Sequence, residues 1–293
     1  MIIVKLLGGL GNQMFQYALG KSLALRNNTK LFLDEKDLLD HSQPHVNRDF
    51  ELSVFSLSPR FAKEKDKKEF FHIPQGRWES WKYTLKHKWS HYESIKEYNF
   101  GFDETVLSKR GHLYLDGYWQ SEKYFGQHAT IIRQEFAFTS PLASENKNLL
   151  SRMQEENSVS IHIRRGDYVN RPETHEFHGI CSMAYYRAAL DLLQSKTSNL
   201  TYYVFSDEPE WVNENFFKDI SYVTIAHNKG DKSFEDMRLM SHCKHHIIAN
   251  SSFSWWGAWL NSTPDKIVIA PKNWFKNPSI NAKDIVPENW ITL

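Results

Sequence analysis

Three features of the sequence predict an α/β protein made of two Rossmann-like domains whose parallel sheets face a cleft. The chain opens as strand, glycine turn, helix, strand, which is a βαβ beginning. Its second half alternates short apolar strands with helices, the pattern of a parallel sheet covered on both faces. Its 293 residues suffice for two domains of ordinary size. The polar stretch 139–157, with Pro141 inside it, divides them, and the domains are expected at 1–145 and 146–293.

Along the first half, the apolar run 2–7 ends in Gly8, Gly9 and Gly11. Met14, Phe15, Ala18, Leu19 and Leu23 then recur at helical spacing. Residues 30–33 form a second short strand ending at Asp34. Residues 40–96 are charged, aromatic and irregular, and predict helices and insertions without a motif. Residues 113–115 with Tyr118 predict a strand that feeds Gly117-Tyr118-Trp119-Gln120. In the second half, strands are expected at 158–163, 202–205, 222–226, 246–249 and 267–270, the last closing the series. Helices are expected at 183–193, 234–243 and 255–260.

Composition narrows the function classes. The net charge is +1, so there is no global field to draw nucleic acid or an anionic membrane. Any anion must be gripped by a local cluster. Two cysteines, Cys181 and Cys243, do not make a disulfide framework in a chain this long, and a reducing compartment is the simpler reading. The opening apolar run is too short for a signal sequence, and no stretch approaches the roughly 20 apolar residues of a membrane span. A soluble, cytoplasmic protein is expected. The 10 Trp, 13 Tyr and 19 Phe suit a large aromatic core or faces for stacking on sugar or base.

The strongest local signal is His162-Ile163-Arg164-Arg165-Gly166-Asp167-Tyr168, directly after a strand. Ligands of parallel α/β sheets bind at the carboxyl ends of strands, and arginine forks suit phosphate oxygens. Neighbours on extended backbone point opposite ways, so one arginine faces the ligand and the other braces the loop; a surface ion pair is the plainer reading. The second signal is Asn250-Ser251-Ser252-Phe253-Ser254 at a helix start, where hydroxyls and free N–H groups make an anion site, or a simple N-cap. The third, Gly8-Gly9-Leu10-Gly11-Asn12-Gln13, brings backbone close to a ligand. It is not a P-loop, and Met14 replaces the third glycine of a dinucleotide fingerprint. Glu235 and Asp236 precede the serine motif, and Asp207 follows a strand. No Asp-x-Asp pair occurs to hold a metal diphosphate. His242, Cys243, His245 and His246 offer one i, i+4 metal pair, broken by a predicted strand.

The strings GGLGNQMFQYALG, GYWQSEKYF, SIHIRRGDYV, VFSDEPEWV and HHIIANSSFSWWGAWL together resemble the bacterial α-1,2-fucosyltransferases of glycosyltransferase family 11. The resemblance spans residues 8–260 in order. It implies a GT-B-like, inverting enzyme that uses GDP-fucose and needs no metal or other cofactor. It implies that Arg164, and after it Arg165, binds the diphosphate, and that His162 and Asp236 hold guanine. It implies further that Ser251, Ser252 and Phe253 complete the nucleotide pocket, while Gly11, Asn12 and Gln13 approach the sugar or β-phosphate. A carboxylate accepting from guanine N1–H and N2–H agrees with that assignment. The partner is a galactose-terminated glycan, an O-antigen or similar surface unit, with lactose-type acceptors also expected. A glycan assembled on a lipid carrier would favour transient peripheral membrane contact. Asp167 is the first candidate for the general base, with Glu173 and His178 as alternatives. Two other classes compete. A nicotinamide-dependent oxidoreductase would rest on Gly9, Gly11 and Asp34, and a non-catalytic sugar-binding module on the aromatics.

Overall fold

The computed structural model describes residues 1–39, 49–72, 74–78, 81, 91–166, 176–177 and 179–293. The chain divides into two compact units, Met1–Thr139 and Ser140–Leu293. The junction falls before the expected 145/146. The reason is that residues 140–145 already serve the second unit: the Ser140 carbonyl accepts from Arg238 at 2.8 Å, and the helix beginning at Ser144 packs under the second sheet.

Unit 1 is a four-stranded parallel sheet in the order β2-β1-β4-β3. Its strands are β1 (Ile2–Lys5), β2 (Leu31–Asp34), β3 (Tyr92–Lys96) and β4 (His112–Asp116). Helix α1 (Leu10–Arg26) links β1 to β2. Its buried residues include Met14, Phe15, Ala18, Leu19 and Leu23, the positions whose spacing predicts it. Strand β3 lies in the stretch that reads as helices and insertions. Its sequence, YESIK, is half polar because it is an edge strand with a mostly wetted surface. A helix α2 (Glu64–Phe71) brings Lys67 to a buried ion pair with Asp34 at 2.9 Å.

Unit 2 is a six-stranded parallel sheet in the order β10-β9-β8-β5-β6-β7. The strands are β5 (Asn157–Ile163), β6 (Leu200–Ser206), β7 (Tyr222–Ile225), β8 (His245–Ile247), β9 (Val268–Ala270) and β10 (Ile291–Thr292). The helices that concern the site are α3 (Ser144–Glu155), α4 (Met183–Lys196), α5 (Pro209–Asn215), α6 (Phe234–Met240) and α7 (Ser252–Leu260). Strand β10, beside β9, extends the series past 267–270, where the sequence pattern closes it. It is two residues long, too short to show a period. Read from β7, the order is that of a doubly wound Rossmann sheet, 3-2-1-4-5-6, with its switch point between β5 and β8.

The period of two along β5 sorts the core. Val159, Ile161 and Ile163 join Tyr186, Leu190 and Leu193 of α4 on one face. On the other, Met153 of α3 packs with Tyr203, Phe205, Leu239, Met240 and Cys243. Between β5 and β8, Ser160 Oγ meets His246 Nδ1 at 2.8 Å, and Asn261 Nδ2 reaches His246 Nε2 at 2.8 Å. Burial drives the His246 pKa well below its ordinary value, so the ring is neutral, and both its nitrogens are engaged within the core. Cys181 and Cys243 are free thiols. Among the described residues, no helix is long and apolar enough to cross a membrane.

Gly20 of α1 lies against β1 and β2. A Cβ there would meet Val4 and would come within 2.7 Å of Leu31 Cδ1. Overpacking costs roughly 2 kcal/mol and the gain in helix propensity from Gly to Ala returns roughly 1. Gly20→Ala should therefore lower stability by about 1 kcal/mol net, seen as a lower urea midpoint at unchanged m-value. An unchanged or raised midpoint would show that the helix and sheet are not in close contact here.

Candidate functional site

The carboxyl ends of β5 and β8, at the switch point of unit 2, carry most of the residues the sequence singles out. His162 is buried near the end of β5. Its carbonyl accepts from Tyr186 Oη at 2.9 Å, and its ring centroid lies 6.0 Å from that of Phe253. Burial pushes its pKa down to about 4; Arg164 lowers it further and Asp207 partly opposes the fall. The imidazole is therefore neutral at neutral pH, yet its buried Nδ1 has no hydrogen-bond partner among the described residues. A buried nitrogen left so costs about 1–3 kcal/mol, which a ligand atom at that position would relieve.

The two arginines are held differently. Arg165 stacks over Trp211, 3.7 Å to the ring centroid, and its Nε donates to Glu208 Oε2 at 3.2 Å. Helix α5 carries Trp211, so Arg165 braces the loop onto that helix. Arg164, with its side chain a quarter exposed, places Nη1 3.1 Å from Asp207 Oδ2. Asp207 also accepts from the Arg165 N–H at 3.0 Å. A Cβ on Gly166 would come within 2.7 Å of the same carboxylate, so a larger residue here would push Asp207 away from Arg164. Asp207 thus aims Arg164 from the end of β6.

At the start of α7 the serines divide. Ser251 is the N-cap, its Oγ accepting from the Phe253 N–H at 3.3 Å, and it is buried; the simple-cap reading fits this hydroxyl. The Ser252 N–H has no partner among the described residues, and Ser252 and Phe253 are partly exposed. Asn250 is structural: its Nδ2 donates to the carbonyls of Trp274 (3.2 Å) and Gly179 (3.4 Å).

Asp236, in α6, is partly buried, and its Oδ1 accepts from Asn228 Nδ2 at 2.8 Å. Burial raises its pKa to about 7, the charge of Glu235 adds to the rise, and Asn228 restrains it. Glu235 is itself buried; Oε1 lies 3.4 Å from Arg238 Nη1, while Oε2 has no partner among the described residues. No sequence signal marks Asn228, which follows β7 in an irregular stretch.

In unit 1, Gly8 has φ +72, and a Cβ there would fall 2.6 Å from Asn12 Nδ2. Asn12 Oδ1 accepts from Gln120 Nε2 at 2.8 Å, which joins the glycine motif to the GYWQ motif. Gly11 is buried in the first turn of α1. Gln13 is not available to a ligand: it is fully buried, donates to the carbonyls of Gly8 and Asp49 and accepts from the Glu51 N–H. Glu51 also accepts from the Leu10 N–H at 3.0 Å, so the start of α1 already holds a carboxylate. Glu97, another residue without a sequence signal, accepts from the N–H groups of Tyr118 (2.6 Å) and Trp119 (3.1 Å) and so fixes Trp119 at φ +57. Asp34 does not suit a nicotinamide ribose: Lys67 and the Tyr114 hydroxyl occupy its two oxygens. Asp167, Glu173 and His178 lie outside the described residues.

A family model described as "Glycosyl transferase family 11" matches residues 1–293. The chain is similar to an alpha-1,2-colitosyltransferase of Escherichia coli, 35% identical over 304 residues, covering 100% of this chain and 98% of that protein. It is similar to the O-antigen biosynthesis glycosyltransferase WbnK of Escherichia coli, 34% identical over 306 residues, covering 98% of each. More distantly it is similar to galactoside alpha-(1,2)-fucosyltransferase 1 of Alouatta caraya, 26% identical over 261 residues, covering 86% of this chain and 63% of that one.

The unequal anchoring of the arginines has a measurable result. Arg165→Lys keeps the charge but loses the planar stack on Trp211, and should lower stability by about 1 kcal/mol. Arg164→Lys should change stability by less than half of that. Equal losses in urea denaturation would contradict the assignment of Arg165 as the brace.

Proposed function

The chain belongs to glycosyltransferase family 11, and we propose that it moves L-fucose from GDP-fucose to the 2-hydroxyl of a galactose residue, inverting the anomeric centre without a metal. The acceptor is a glycan such as an O-antigen or similar surface unit, met in the cytoplasm, with lactose as a workable substitute. The observation that carries this reading is the set of unmet groups at the carboxyl end of the unit 2 sheet. His162 Nδ1 and the Ser252 N–H await partners, beside an arginine aimed by Asp207. A guanine edge fits the first and Asp236, and a diphosphate fits Arg164 and the start of α7.

In the reaction, the galactose 2-oxygen attacks C1 of fucose from the face opposite the nucleotide. The new C1–O bond forms as the bond from C1 to the β-phosphate oxygen breaks, and that electron pair leaves with GDP. Positive charge builds at C1 and the ring oxygen as in other glycosyl transfers. Arg164 and the helix N-terminus meet the charge growing on the departing diphosphate. The hydroxyl proton passes to a base, for which Asp167 is our first choice and Glu173 and His178 are the alternatives. In unit 1, Asn12 with Gln120 is the pair we assign to the acceptor side.

A second reading concerns the donor alone. The similarity to a colitosyltransferase favours GDP-colitose, whose sugar is fucose without its 3-hydroxyl, over the same chemistry and the same nucleotide site.

Release of GDP from GDP-fucose should depend on lactose, persist in EDTA, and fall at least 100-fold in Arg164→Ala. NMR of the product should show substitution at the galactose 2-position. Loss of turnover in EDTA would overturn the metal-free reaction, and absence of GDP binding would overturn the donor assignment. Faster turnover of GDP-colitose would favour the second reading.

Binding should also depend on pH. The free-protein pKa of Asp236 is near 7, and base N–H donors favour the carboxylate, so bound nucleotide lowers that pKa. Affinity for GDP should therefore be fully expressed above about pH 7 and weaken as pH falls through that value, by at most about tenfold per unit. Asp236→Asn should remove this component, leaving only the titration of the phosphate; a profile equal to wild type would take Asp236 out of the base site.

A further inference from the structure

Asp236 is the last member of a line of polar side chains that runs inward from the surface through two buried asparagines. At the surface end, Glu145 of α3 lies 3.5 Å from His227 Nδ1. His227 Nε2 is 2.6 Å from Asn146 Oδ1. Asn146 Nδ2 donates to Asn228 Oδ1 at 3.0 Å, and Asn228 Nδ2 donates to Asp236 Oδ1 at 2.8 Å. The two amides also face in the reverse sense, Asn228 Nδ2 to Asn146 Oδ1 at 3.4 Å. Asn146 and Asn228 are 1% and 9% exposed, so water does not compete for these bonds.

Opposite an ionised Asp236 the Asn228 amide has one favourable orientation. With its oxygen held by the Asn146 NH₂, Asn228 must turn its own NH₂ toward Asp236; the flipped amide would set oxygen against a carboxylate. A carboxylate has room for several donors, so one bond at Oδ1 fixes its plane without filling it. Oδ2 has no partner among the described residues. Of the elements packed against α6, α7 carries no ionisable side chain. The turn at residues 230–232 brings Asp231 and Lys232, both exposed. Helix α3 brings Glu145, Lys147 and Glu155, all exposed, and, at its far end, Arg152, which is committed to Glu156. On α6 itself, Glu235 and Arg238 face one another. Among the described residues none of these cations is paired with Asp236, and the group that favours its charge is the Asn228 amide.

We propose that Asn228, locked by Asn146, is a positioning residue that presents the Asp236 carboxylate to the nucleobase edge and so sets the preference for a guanine over an adenine nucleotide. The inference rests on the reading of Asp236 as the base-recognising group. Loss of the amide would leave the carboxylate free to rotate and harder to ionise, which weakens recognition of the base but not of the phosphates.

The test is calorimetric titration of GDP and ADP into wild type, Asn228→Ala, Asn146→Ala, Asp236→Asn and the Asn228→Ala/Asp236→Asn double variant, between pH 6 and 9. Wild type should prefer GDP. Asn228→Ala should lose about tenfold in GDP affinity at pH 7 with ADP affinity unchanged, and the loss should shrink toward pH 9 as Asp236 ionises unaided. Asn146→Ala should move the same way by a smaller factor, and it carries the test if Asn228→Ala does not fold. In the Asp236→Asn background, Asn228→Ala should add nothing. An equal loss for both nucleotides at every pH would reduce Asn228 to a structural residue and overturn the proposal, as would no loss at all. If Asp236→Asn abolishes the GDP preference while both asparagine variants keep it, the base-reading role of Asp236 stands and the relay falls. If wild type binds GDP and ADP alike, both fall together.

Discussion

Where β5 meets β8, Ser160, His246 and Asn261 form one buried hydrogen-bonded line, and the site of unit 2 is built outward from that join. Asn261 donates to Nε2, so the neutral ring carries its proton on Nδ1 and donates it to Ser160. Every member is satisfied, which is the condition under which a polar group inside a core is stabilising instead of costly. The same line holds two strands in register, and their next residues are His162 to Gly166 on one side and Asn250 to Phe253 on the other. A change in the line would displace both halves of the proposed nucleotide site at once.

The two units begin alike and end in different electrostatic states. In unit 1 the groups that a ligand would need are answered by the protein: Glu51 sits at the start of α1 and Lys67 with Tyr114 closes around Asp34. In unit 2, His162 Nδ1 and Glu235 Oε2 are buried without partners among the described residues. Each such atom costs about 1–3 kcal/mol, a burden that the packing on both faces of the sheet must offset. Unit 1 leaves Trp119 Nε1 in the same state among the described residues, so atoms of this kind occur in both units.

Much of this was legible in the sequence, and the exceptions have physical causes. The strands and helices of unit 2 follow from apolar runs and spacing because its sheet is buried on both faces. Strand β3 was hidden by its wetted edge position, and β10 by its two-residue length. The brace-and-ligand division of Arg164 and Arg165 follows from alternation alone, but which arginine is the brace needed Trp211, 46 positions along from Arg165 in sequence. The family resemblance implies that Gln13 faces the ligand; residues Asp49 and Glu51, distant in sequence, turn it inward. Asn228 and Glu97 act only through partners far away in the chain, so no local pattern could mark them. The proposed roles of His162 and Asp236 come from family resemblance; at these positions the structure has a buried nitrogen without a partner among the described residues and a raised carboxyl pKa.

The division at Thr139 also bears on how the protein is made. Each unit is continuous in sequence, so the first has all its strands before the second has left the ribosome. At 5–20 residues per second, the second unit follows over roughly ten to thirty seconds. Its sheet gains its outer strand, β10, only with residues 291–292. Until then the edge of β9 (Val268–Ala270) is open to pairing with another chain. Misassembly of this protein thus has a definite strand and a definite interval in which to begin.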